Sequence, residues 1–73
     1  MTNWFQELDV RFTYHPPKGQ DQVEKYEQIR EKAREFAGFL LANTPDCRER
    51  SLAFTKLEEC VMWANASIAR REP

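Results

Sequence analysis

The sequence predicts an all-α fold, an antiparallel helical hairpin with an N-terminal arm that assembles into a homo-oligomer. Two stretches of about two dozen residues carry apolar side chains at steps of three and four, the period of an amphipathic helix. The connection between them is very short, and all four prolines lie outside the helix interiors. We therefore divide the 73-residue chain into an arm and loop at residues 1–19 and a hairpin domain at 20–73, with helices at 20–43 and 47–70 and a turn at 43–46.

The arm shows the alternating pattern of a β-strand. Apolar or aromatic residues occupy every second position from Leu8 to Tyr14, and a period of two predicts a strand. Trp4 and Phe5 come before this segment and provide a bulky apolar anchor on a short helical turn.

The loop after the arm is stiff because it contains Pro16 and Pro17. Proline fixes its own φ and restricts the preceding residue to extended conformations. His15 and Pro16 should therefore be extended, and the loop should hold its neighbours in fixed positions.

The first long helix has one apolar stripe and one charged face. Phe39 and Leu41 broaden the stripe near the C-terminal end, and Gly38 either faces close packing or weakens the helix by about 1 kcal/mol. The stripe consists of Val23, Tyr26, Ile29, Ala33, Phe36, Ala37 and Leu40.

The turn between the helices has the residues of a helix start. Thr44 suits an N-cap, Pro45 suits the first helical position and Asp46 favours the positive end of the helix. Such a short connection requires two antiparallel helices.

The second helix has a narrower seam with small residues beside it. Cys47 and Cys60 are thirteen positions apart, about 20 Å along a helix, too far for a disulfide. We expect two reduced thiols, with Cys60 in the core and Cys47 at the helix start. The seam consists of Phe54, Leu57, Val61, Ala64 and Ile68, and the small neighbours are Ala53, Cys60 and Ser67.

Composition excludes several classes of function. The net charge is −1, which argues against binding to polymeric nucleic acid. No apolar run approaches the roughly 18 residues of a membrane span, and the N-terminus lacks a signal-peptide pattern. We therefore expect a cytoplasmic protein.

One hairpin cannot cover all of the large apolar side chains, so the arms should pack on neighbouring subunits of a homo-oligomer.

The sequence offers little for catalysis. His15 is the single histidine, and there is no paired-cysteine or HExxH motif for a metal and no glycine-rich loop for a nucleotide. We expect neither an enzyme nor a cofactor.

A small nucleotide ligand fits the sequence better, since flat rings stack on bases and cations bind phosphates. The candidate residues are Tyr14, His15, Lys18 and Arg30. In the alternative interpretation, Tyr14 packs in an interface and the cations are solvated.

The segment Arg48 to Arg70, with its run TKLEECVMWANASIAR, resembles the helical-hairpin domain of phage anti-CBASS and Thoeris anti-defence sponges. The resemblance covers about residues 12–71. It implies a non-catalytic homo-oligomer, typically a hexamer, in the host cell cytoplasm. Such a protein sequesters cyclic di- or trinucleotide immune signals so that the host effectors are not activated.

The resemblance also implies roles for particular residues. Tyr14 and Arg30 match the loop tyrosine and the helix cation of the cyclic dinucleotide pocket. A separate cyclic trinucleotide site uses an arginine from the second helix, and the candidates are Arg48 and Arg50 at one end and Arg70 at the other.

Three alternatives lie beside this interpretation. One is a Thoeris-type sponge for cyclic ADP-ribose signals, and another is a helical-hairpin module for protein interaction or oligomerisation. The third, an RNA-binding hairpin, requires a basic face, whereas this chain interleaves its bases with as many acids.

Overall fold

The computed structural model describes residues 2–73 and contains three helices. They are α1 (Trp4–Phe12), α2 (Gln20–Asn43) and α3 (Arg48–Arg71). Within residues 2–73 there is no strand, so the all-α prediction is confirmed. No helix in this range is long and apolar enough to cross a membrane.

Helices α2 and α3 form an antiparallel hairpin. Val23 and Tyr26 near the start of α2 share a groove with Ala69 and Arg70 near the end of α3. The half-buried positions follow the predicted stripes, because only those faces of the two helices meet. They include Val23, Tyr26, Ile29, Ala33, Ala37 and Leu40 on α2, and Phe54, Leu57, Val61, Ala64 and Ile68 on α3.

The prediction of a strand in the arm is wrong, because residues 4–12 are helical. The side chain of Asn3 accepts a hydrogen bond from the backbone N–H of Gln6 at 3.2 Å, which caps the helix. Glu7 and Arg11 form an ion pair one turn apart, at 2.9 Å. Positions 4, 8 and 12 are apolar at a step of four, so the same residues satisfy a helical period and α1 forms.

The predicted N-cap of the second helix is wrong, although Cys47 does lie at the helix start as expected. Thr44 follows α2 as its C-cap, and its hydroxyl donates to the Leu40 carbonyl at 2.6 Å. This bond ties Thr44 to the end of α2, so it cannot cap α3. The N-cap of α3 is Cys47, and the helix begins at Arg48.

Burial within one chain is shallow. Among the described residues no apolar side chain is buried. The one buried residue in this range is Gln22, with 4% of its surface exposed. Cys60 is exposed, so its predicted place in the core is wrong, while both cysteines are free as expected. A Cβ on Gly38 would meet no atom within 4 Å, so no close packing explains this glycine inside the single chain.

Candidate functional site

The largest concave site is a groove of about 700 Å³ between the loop and the base of the hairpin, here called the loop groove. Its volume lies in the range of small-ligand sites, about 300–1,000 Å³. Its lining comes from the loop, from the first three turns of α2 and from the last turns of α3. The lining residues are Thr13, Tyr14, His15, Pro17, Val23, Tyr26, Glu27, Arg30, Met62, Asn65, Ala66, Ala69 and Arg70.

The loop side of the groove is held by His15. Its Nε2 donates to the Val10 carbonyl at 2.7 Å, which fixes the imidazole against the end of α1. The neighbouring Tyr14 ring remains 82% exposed at the groove. His15 therefore shapes the loop, and Tyr14 is the aromatic ring available for stacking.

Two cations face the groove from opposite helices. Arg30 comes from α2 and Arg70 from α3. Within residues 2–73 neither guanidinium forms an ion pair. Glu27 is the one acidic residue of the lining, so the groove carries a net positive charge and suits an anion.

Asn65 is a lining residue that sequence reasoning missed. Its side-chain oxygen is buried and has no hydrogen-bond partner in the described structure. A buried polar atom is normally bonded, so this oxygen is an unsatisfied acceptor beneath the wall of the groove. The signal in the sequence was its position, because Asn65 lies four residues after Val61 and three before Ile68 on the apolar seam.

The other predicted site residues lie elsewhere. The ammonium of Lys18 donates to the Glu72 carbonyl at 2.6 Å, outside the loop groove. Arg48 and Arg50 lie in the first turn of α3, at the far end of the hairpin. Arg50 bonds the Thr44 carbonyl at 3.1 Å and pairs with Asp46 at 3.2 Å, so it stabilises the turn.

Arg70 also lines a second groove, of about 410 Å³, between α1 and α3. There it lies with Arg11, Arg71 and the exposed ring of Trp63. Glu7 neutralises part of this charge, since it pairs with both Arg11 and Arg71. Arg70 is therefore shared by two grooves rather than placed in one.

Comparison with protein families gives a match to the model described as Acb2/Tad1, hairpin domain, over residues 6–69. The chain belongs to the Acb2/Tad1 hairpin family. This is the family of anti-CBASS and Thoeris sponges, which bind immune signals and are not enzymes. The match includes most of α1, so it begins earlier than the resemblance recognised in the sequence. Comparison with curated proteins and with solved structures gives no significant match.

The loop groove brings together a tyrosine ring and two arginines that form no ion pair within residues 2–73. These groups suit an anionic ligand that carries flat rings. Within residues 2–73 no group of histidine, cysteine or acidic side chains is arranged to hold a metal ion.

Proposed function

We propose that this protein is a phage anti-defence sponge that binds cyclic oligonucleotide immune signals in the loop groove. Binding withholds the signal from host CBASS-type effectors in the host cell cytoplasm. The observation that carries the proposal is the meeting of Tyr14, Arg30 and Arg70 around one groove, in a chain of the sponge family.

Cyclic dinucleotides are the ligands that this chemistry favours. Each has two bases that can stack and two phosphates that need cations. Stacking of a base on the Tyr14 ring is worth about 1–3 kcal/mol. A charge-assisted bond from Arg30 to a phosphate is worth about 1.5–3 kcal/mol.

The groove of a single chain is open, since 82% of Tyr14 is exposed at its edge. A small-ligand site normally buries about 70–90% of its ligand. We therefore place a second subunit over the bound ligand, which is consistent with a homo-oligomer and with a hexamer.

Cyclic trinucleotides are the second ligand class, and Arg70 is the candidate that the structure favours for them. It lies near Arg11 and Arg71, whereas Arg48 and Arg50 lie at the opposite end of the hairpin. Cyclic ADP-ribose signals remain the alternative ligand, because a base and two phosphates would use the same groups of the loop groove.

Isothermal titration against cyclic dinucleotides, cyclic trinucleotides and cyclic ADP-ribose isomers tests the proposal. We expect Tyr14→Ala and Arg30→Ala each to weaken cyclic dinucleotide binding at least tenfold, about 1.4 kcal/mol. Tyr14→Phe keeps the ring and should bind like the wild type. Arg34→Ala is the matched charge control, since Arg34 is exposed one turn beyond Arg30 and does not line the groove.

Two outcomes would contradict the proposal. A wild-type protein that binds none of the three ligand classes would favour the interaction-module alternative. If all four variants bound the ligand as tightly as the wild type, the ligand would have to lie outside the loop groove.

A further inference from the structure

The buried residue Gln22 is polar, and both ends of its amide are bonded. Its Oε1 accepts the backbone N–H of Lys18 at 2.9 Å, and its Nε2 donates to Oε1 of Glu72 at 3.1 Å. Burial of an amide is unfavourable unless such bonds form. The first bond fixes the residue before Gly19, the N-cap of α2, to the first turn of that helix.

Glu72 connects the same region to the end of α3. Its carboxylate accepts a second bond, from Lys25 Nζ at 2.8 Å, and its backbone carbonyl accepts from Lys18 Nζ at 2.6 Å. Lys18, Gln22, Lys25 and Glu72 therefore form one network, here called the polar clamp. It joins the loop, the start of α2 and the residue that follows α3.

The polar clamp lies directly beside the walls of the loop groove. Lys18 follows Pro17, which lines the groove, and Glu72 lies two residues after Arg70 on the opposite wall. The other end of the loop is fixed by the bond from His15 to Val10. Tyr14 directly precedes His15, and proline leaves few conformations to the segment between the two attachments, so the position of Lys18 bears on the Tyr14 ring through a stiff connection.

We infer that Gln22 and Glu72 are positioning residues for the ligand of the loop groove. They hold the loop against α3 before the ligand arrives, so binding does not have to order it. The inference rests on the proposed function, and it adds two residues that do not line the groove. Glu72 also lies outside residues 6–69, the range of the family match.

Variants of the polar clamp separate positioning of the loop from simple stabilisation of the start of α2. Gln22→Glu keeps an acceptor for Lys18 but places a second carboxylate beside Glu72. Glu72→Ala removes the bonds to Gln22 and Lys25, whereas Glu72→Gln retains an acceptor for Gln22. Glu58→Ala is the matched charge control, at an exposed position of α3 with no ion pair in the described structure.

The affinity for a cyclic dinucleotide is measured by isothermal titration, at a temperature where circular dichroism shows every variant folded. We expect Gln22→Glu and Glu72→Ala to lose about tenfold in affinity, about 1.4 kcal/mol. Glu72→Gln should stay within about twofold of the wild type, and Glu58→Ala should be unchanged.

A double-mutant cycle with Tyr14→Ala supplies the decisive readout. If the polar clamp acts by placing the Tyr14 ring, Glu72→Ala should cost little affinity once that ring is absent, because the two effects are coupled. The inference would be overturned if the affinity losses of Glu72→Ala and Tyr14→Ala were fully additive, or if Gln22→Glu and Glu72→Ala both bound like the wild type. Either result would leave the proposed function intact. A wild-type protein without affinity for any cyclic oligonucleotide would instead overturn the proposed function and this inference together.

Discussion

Arg70 lies where two grooves meet, and its neighbours decide what it can bind. In the loop groove it faces the same space as Tyr14 and Arg30, and in the second groove it lies beside Arg11 and Arg71. An arginine without an ion pair in the described structure can bind phosphate from either side. We therefore propose that the separate dinucleotide and trinucleotide sites implied by the family resemblance share this residue within one chain.

Arg70→Ala should consequently weaken binding of both ligand classes. We expect a loss of about tenfold for each, the equivalent of one charge-assisted bond. Arg48→Ala removes the same charge at the far end of the hairpin and should leave both affinities unchanged. Titration of the two variants with a cyclic dinucleotide and a cyclic trinucleotide is the measurement. If only Arg48→Ala weakened cyclic trinucleotide binding, that site would use Arg48 and not Arg70.

The sequence leaves two explanations for Gly38, close packing or a weaker helix, and its surroundings within the described chain fit the second. It lies inside α2, and a Cβ there would meet open space. Alanine favours a helix interior over glycine by about 1 kcal/mol. Gly38→Ala should therefore raise the melting temperature by a few degrees with no change in particle mass. A lower melting temperature or a smaller particle would show that another subunit packs closely against this glycine.

At the scale of elements, α1 depends on local bonds more than on packing. None of its residues is buried, and an ion pair between Glu7 and Arg71 connects it to the end of α3. Asn3→Ala removes the N-cap bond and should destabilise α1 by about 1 kcal/mol. Faster amide hydrogen exchange in residues 6–10, with α2 and α3 unchanged, is the expected result. Uniformly faster exchange in all three helices would mean that α1 does not open on its own.

Two carboxylates, Glu7 and Glu72, bond to cations near the base of the hairpin, and both become protonated in acid. Bonds from Arg71 and Arg11 lower the pKa of Glu7 below its usual 4.5, and bonds from Lys25 and Gln22 lower the pKa of Glu72 below the same value. A carboxyl group with a lower pKa in the folded state stabilises that state above the unfolded pKa. This contribution is lost as the pH falls through the folded value.

Thermal unfolding between pH 7 and pH 2 should therefore show a steady stability above about pH 4.5 and a decline below it. In the double variant Glu7→Gln and Glu72→Gln, we expect a smaller decline on the acid side. Glu24→Gln serves as the control, because Glu24 is exposed and makes no ion pair within residues 2–73. An identical acid decline in the double variant and the wild type would exclude these two carboxylates as its cause.

The sequence predicted the long helices well and α1 poorly, for a physical reason. A seam that repeats over more than twenty residues distinguishes a helical period from an alternating one, whereas nine residues do not. The N-cap of Asn3 was the local signal that decides between them. For the site, Tyr14 and Arg30 could be named from their chemistry, but Asn65 became visible only when α3 was placed against the loop.

At the scale of the whole molecule, the chain exposes more surface than a folded monomer of its mass. Its accessible surface is 6172 Å², whereas a monomer of 8.7 kDa typically exposes about 4,700 Å². The radius of gyration is 15.6 Å, and a compact domain of this length has about 11 Å. The excess, about 1,500 Å², approaches the area that two standard interfaces bury on one subunit, about 800 Å² each.

Exposed apolar side chains provide surfaces on which such interfaces can form. A groove of about 460 Å³ between α2 and α3 is lined mainly by apolar residues, among them Ile29, Phe36 and Val61. Beside the second groove, between α1 and α3, Phe12 is 83% exposed and Trp63 is 69% exposed. At about 25 cal/mol per Å² of apolar surface, covering these groups contributes several kcal/mol to association. We therefore predict a particle larger than a dimer at micromolar concentration.

Val61→Asp tests this prediction because Val61 is half-buried on the α3 seam and lines the apolar groove. An unpaired carboxylate there should cost on the order of 2 kcal/mol or more, and it should lower both the melting temperature and the particle mass. Thr55→Asp introduces the same charge at an exposed position of α3 and should change neither. Multi-angle light scattering on the wild type and both variants is the measurement. A wild-type mass of one or two chains would contradict the predicted assembly, and an unchanged Val61→Asp particle would place the interface elsewhere.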